Sequence, residues 1–169
     1  MTITRCRAPV KLALVMTLLT SAACIPSIPD APTNPNRIDP VVLVHSGSEN
    51  GGWRAWIYRT GTGQLCLEVR GVDGDGVRCG QGGDALEGPG TQVSERATFV
   101  LGGTRIAAAA SVKVVMADNS TASGPIVEAT RVAGGLRVYV VPVSPTSEPV
   151  AVDVVDTDGK VVESSQLRD

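Results

Sequence analysis

The chain has 169 residues, 15 Lys and Arg against 17 Asp and Glu, and a single His. That balance leaves nothing to neutralise a phosphate backbone, which excludes a nucleic-acid binder, and it leaves little material for general acid–base catalysis. With 43% hydrophobic and 19% charged residues, the chain has the composition of an ordered domain and the length to bury a core.

The first 24 residues have three parts. Arg5, Arg7 and Lys11 supply positive charge, Leu12 to Leu19 form an apolar run, and Thr20 to Ala23 are small. This is the order of an export signal, with a run too short to span a bilayer. Ser21-Ala22-Ala23-Cys24 resembles the lipobox of bacterial lipoproteins. The resemblance implies a signal peptide over 1–23 and a diacylglycerol on Cys24, with the protein held at the outer face of the cell membrane. Two acyl chains on one residue give stable anchoring. The competing reading is an ordinary secretory signal with Cys24 as a bystander.

The segment 24–40 reads as a linker, since five of the eleven prolines fall between Ile25 and Pro40. Proline blocks helix and removes backbone donors, so an extended spacer reaching roughly 50 Å is expected. Loss of Arg5, Arg7 and Lys11 leaves a more acidic mature chain, which anionic lipid should repel.

Residues 41–169 read as one all-β domain. Short Val-rich segments separated by turns are expected as strands over 41–45, 53–59, 64–70, 97–101, 111–116, 126–132, 136–142, 150–156 and 160–163. Thr60 to Gly63, Ala133 to Gly135 and Asp156 to Gly159 are the expected hairpin turns. Alternation places Leu65, Leu67 and Val69 on one face, and likewise Val112, Val114 and Met116, and Val150, Val152 and Val154. Two sheets burying such rows against each other make a β-sandwich of immunoglobulin-like architecture.

Four cysteines are present. Cys6 falls in the signal and Cys24 in the lipobox, which leaves Cys66 and Cys79. In an oxidising compartment this pair reads as a disulfide. The rival readings are a metal pair or a redox thiol, but zinc wants four ligands and no C-x-x-C is present.

The stretch from Trp53 through Tyr58 and Cys66 to Cys79-Gly80 resembles exported actinobacterial proteins of unknown function. So does the run from Phe99 to Gly102, through Val112 to Val115, ending at Asp156 to Gly159. The resemblance implies a fold and an address, and carries no activity.

Chemical motifs are sparse. His45 has no nucleophile elbow beside it. Gly80 to Ala85 fits G-x-G-x-x-A, but Gly88-Pro89-Gly90 precludes the helix that a phosphate loop must open. Asp73/Asp75 and Asp156/Asp158 lack the further ligands of a calcium loop and read as hairpin turns. No catalytic residue, metal or cofactor is expected. Trp53 alternates with Ala55 and Ile57, leaving Trp56 and Tyr58 together on the opposite face. That second pair is either core beneath a glycine-rich loop or an exposed aromatic surface for a ligand. The expected function is a non-enzymatic, membrane-anchored binding or structural module whose partner is another envelope protein or an envelope glycan. The alternative is a carrier or sensor of a small hydrophobic or glycan ligand at Trp56 and Tyr58.

Overall fold

The computed structural model describes residues 28–81, 86–93 and 97–167. The expected signal peptide, Cys24 and part of the glycine-rich loop lie outside the described residues. In chain order the strands are β1 (Arg37–Gly47), β2 (Trp53–Thr60), β3 (Gln64–Gly71), β4 (Asp75–Gln81), β5 (Gly88–Val93), β6 (Thr98–Thr104), β7 (Ala109–Met116), β8 (Thr121–Pro125) and β9 (Val127–Glu128). A helical turn, α1 (Thr130–Ala133), precedes β10 (Arg137–Val143), β11 (Pro149–Asp156) and β12 (Val161–Gln166). The chain is all-β, as expected.

Among the described residues the strands make three four-stranded antiparallel sheets. The first is a simple meander, β1-β2-β3-β4; the second runs β5-β6-β10-β9 and the third β12-β11-β7-β8. Side-chain alternation decides how they stack. Trp53, Ala55 and Ile57 of β2, with Leu65, Leu67 and Val69 of β3, pack against Phe99 and Leu101 of β6 and Val138 and Val140 of β10. The residues between them, Val100, Tyr139 and Val141, face the other way, onto Val112, Val114, Val152 and Val154 of the third sheet. The second sheet is therefore a central layer with an apolar core on each face. This explains why every residue of β6 is buried. The sandwich packing is as expected, but the immunoglobulin-like arrangement is not confirmed: there are three sheets, not two.

Close approach in the central layer requires glycine. A Cβ on Gly102 would collide with the Gly88 carbonyl and stand 2.7 Å from the Tyr139 hydroxyl.

Two of the expected turns are formed as expected. Gly63 adopts φ 81° with its N–H on the Thr60 carbonyl at 2.9 Å. At Asp156 to Gly159, the Asp156 Oδ1 accepts from the Asp158 and Lys160 N–H groups, both at 2.9 Å. The strand expected over 126–132 shrinks to two residues. Ala129 onward coils instead, with the Ala133 N–H on the Ala129 carbonyl at 2.8 Å, and Gly134 ends the turn in the left-handed region at φ 57°. The strands β4, β5 and β8 were not expected. They are rich in Gly, Ser and Thr, so their pairing comes from their neighbours rather than from their own propensity.

Cys66 and Cys79 face each other across β3 and β4 and are bonded, with S–S 2.04 Å and Cα–Cα 4.1 Å. The expected disulfide is formed.

Candidate functional site

Among the described residues, a cluster of buried polar side chains lies on the outer face of the first sheet, away from the core. Because the register pairs Trp56 with Glu68 and Tyr58 with Cys66, these four side chains share that face. Trp56 and Tyr58 are 3% and 0% exposed, and Glu68 is 1% exposed. The exposed-aromatic reading of Trp56 and Tyr58 is thus corrected: neither ring meets solvent.

The segment expected to be a free spacer helps close this face. Residues 28–36 lie against the sheet as a strap, with Pro32 buried. The Glu68 carboxylate is its anchor. Its Oε1 accepts from the Thr33 N–H at 2.9 Å, the Thr33 hydroxyl at 3.1 Å and Arg70 Nε at 2.8 Å. Its Oε2 accepts from the Tyr58 hydroxyl at 2.6 Å. Arg70 also reaches Asp75 at 2.5 Å and donates to the Thr33 hydroxyl. Further along, Arg54 donates to the Pro29 carbonyl at 3.1 Å and pairs with Asp30 at 2.5 Å. Arg37 holds the Pro32 carbonyl at 2.7 Å. The strap then turns directly into β1 at Arg37, so the boundary expected at Val41 falls inside a strand.

The electrostatics follow from this geometry. Burial opposes the Glu68 charge, but the donors from Tyr58, Thr33 and Arg70 outweigh it and hold its carboxyl below the ordinary range. Burial, reinforced by the bond to Glu68, pushes the Tyr58 phenol far up. Burial likewise opposes the Arg70 charge, and the bonds to Glu68 and Asp75 outweigh it, so its guanidinium is raised. A carboxylate with four donors and no solvent contact is a poor base, and a phenol held this firmly is a poor acid. The contacts of this cluster tie Thr33 to the sheet.

The other sequence candidates do not join it. His45 stands edge-on to Trp53 at 5.1 Å between ring centres, and Trp53 Nε1 donates to Glu49 at 3.2 Å. The pair is the rim of the first core. Asp75 is occupied by Arg70, and Asp156 by its own turn. Among the described residues no three His, Cys, Asp or Glu side chains come together as a metal site. Open grooves of about 280 and 370 Å³ flank α1, lined in part by Glu128 and Thr130. Sequence reasoning missed Glu68 because a Glu between Leu67 and Val69 reads as a solvent-facing strand residue. The available signal was its position opposite Trp56 and next but one to Arg70.

Comparisons with protein families, with curated proteins and with solved structures find no match to this chain.

Proposed function

We propose that the protein is an envelope lipoprotein, tethered through Cys24 to the outer face of the cell membrane, whose β body is a non-enzymatic binding or structural module. The observation that carries this reading is how the buried polar groups are used. Glu68, Tyr58 and Arg70 are spent on fixing Thr33, in the segment between the lipobox and β1. The body is built to grip its own tether. The burial of Trp56 and Tyr58 favours this reading over a carrier with its ligand at those two rings. The partner is an envelope protein or an envelope glycan.

The test is fractionation and intact-mass measurement of the chain made in its own host. A diacyl mass on a chain beginning at Cys24, with Cys24→Ala released from membranes, is the expected result. A Cys24→Ala chain that stays membrane-bound, or a mature chain without lipid, defeats the reading. Cross-linking in intact cells then identifies the companion.

A further inference from the structure

We infer that the strapped outer face of the first sheet is the surface this protein turns toward a phospholipid bilayer, with the third sheet outermost. The inference rests on the proposal that Cys24 carries lipid.

Tether length is the first argument. The strap is fixed at its very start: Arg54 binds the Ile28 and Pro29 carbonyls at 3.4 and 3.1 Å, and the Ile28 side chain rests over Gly52. Three residues lie between Cys24 and Ile28, four chain steps with a reach of at most about 14 Å. A chain free from Cys24 to Arg37 would reach roughly 45 Å. The strap thus converts a long leash into a short one that leaves from the first sheet.

Exposed apolar side chains give the second argument. Of the six large ones among the described residues, Ile38, Leu43, Val72 and Val77 belong to the first sheet or its β3–β4 turn, Ile38 on the core side opposite Arg59. Leu43 pairs with Trp56 and Val77 pairs with Glu68. They therefore lie on the strapped face, 53% and 45% exposed, on either side of the buried Trp56 and Glu68.

Charge gives the third. The third sheet and the loops that enter or join its strands carry Asp118, Glu148, Asp153, Asp156, Asp158 and Glu163 against Arg105, Lys113 and Lys160. Over residues 28–81 six acids face five arginines, so the layer with the tether is nearly neutral. An anionic leaflet repels the acidic layer within a Debye length and tolerates the neutral one. The acidic mature charge, which from sequence argues against lipid contact, is concentrated two layers away.

The test couples the mature chain through the Cys24 thiol to a maleimide lipid, Cys66 and Cys79 being bonded to each other. Vesicles of phosphatidylcholine and phosphatidylglycerol carry nitroxide-headgroup lipid as quencher. Loss of most emission from Trp53 and Trp56 is expected. A second chain, Trp53→Phe, Trp56→Phe and Asp158→Trp, is expected to keep its emission. Equal quenching in both, or the reverse order, overturns the inference and points to a protein partner on the strapped face. If the second chain fails to fold by circular dichroism, neutron reflectometry of the native coupled chain decides. Protein density starting at the headgroups supports the inference, and a hydrated gap of tens of ångströms sinks it. Coupling by maleimide separates the two failures: host mass spectrometry judges the lipid, and quenching judges the face.

Discussion

Glu68→Gln is the sharpest test of the strap. The substitution keeps shape and removes one charge. At present one buried carboxylate accepts four hydrogen bonds, from Thr33 N–H, the Thr33 and Tyr58 hydroxyls and Arg70. Bonds to a charged group are worth about 1.5–3 kcal/mol, against about 1 kcal/mol for neutral ones. In the glutamine variant the amide oxygen keeps the Thr33 bonds, but Arg70 faces a neutral acceptor in place of its anionic partner, and the Tyr58 hydroxyl must turn to accept. Breaking a buried ion pair costs about 3–5 kcal/mol; here Arg70 is 25% exposed and retains Asp75, which lowers the figure. A loss of about 2–3 kcal/mol at pH 7 is expected, read by urea denaturation as a lower midpoint at unchanged slope. The pH dependence is a second readout. The folded Glu68 carboxyl lies below its ordinary value. Its stabilisation is therefore complete above the unfolded value of about 4.3 and is lost as pH falls through the folded value. The gap between wild type and Glu68→Gln should close on acidification. A variant as stable as wild type at pH 7, or a gap that does not change with pH, would refute the argument.

Other outcomes follow from the same structure. Reducing the Cys66–Cys79 bond is expected to cost about 3 kcal/mol in the chain-entropy model, measured by urea denaturation with and without reductant; the exposed Cys79 side gives the reductant access. Gly102→Ala places a methyl group against the Gly88 carbonyl and the Tyr139 hydroxyl, so a loss at the upper end of about 1–3 kcal/mol is expected from thermal melting. Asp156→Ala removes two turn hydrogen bonds. About 1 kcal/mol should be lost, and amide exchange should quicken locally at the β11–β12 end. Thr33→Ala removes the hydroxyl bonds that tie the strap to Glu68 and Arg70, leaving only the backbone N–H on the carboxylate. Limited proteolysis should then cut within residues 28–36 while the body stays intact, and a chain cut no faster than wild type would count against the strap.

Sequence alone determined much of the first sheet. Alternation in Trp53 to Arg59 and Gln64 to Arg70 fixed which side chains face the core, because a strand has period two and one face must leave water. The turns at Thr60 to Gly63 and Asp156 to Gly159 were legible because glycine and aspartate satisfy local backbone demands. The Cys66–Cys79 bond followed from cysteine count and spacing. Tertiary structure decided the rest. A sheet buried on both faces has no polar side to alternate with, so β6 and β10 could not announce a third layer. Strands such as β4 and β8 form because a neighbour offers a ladder, and their own residues are poor strand formers. The strap needed the fold most. Thr33 and Glu68 are 35 residues apart, and only the meander sets the carboxylate, the tyrosine and the arginine on one face where a proline-rich segment can lie across them.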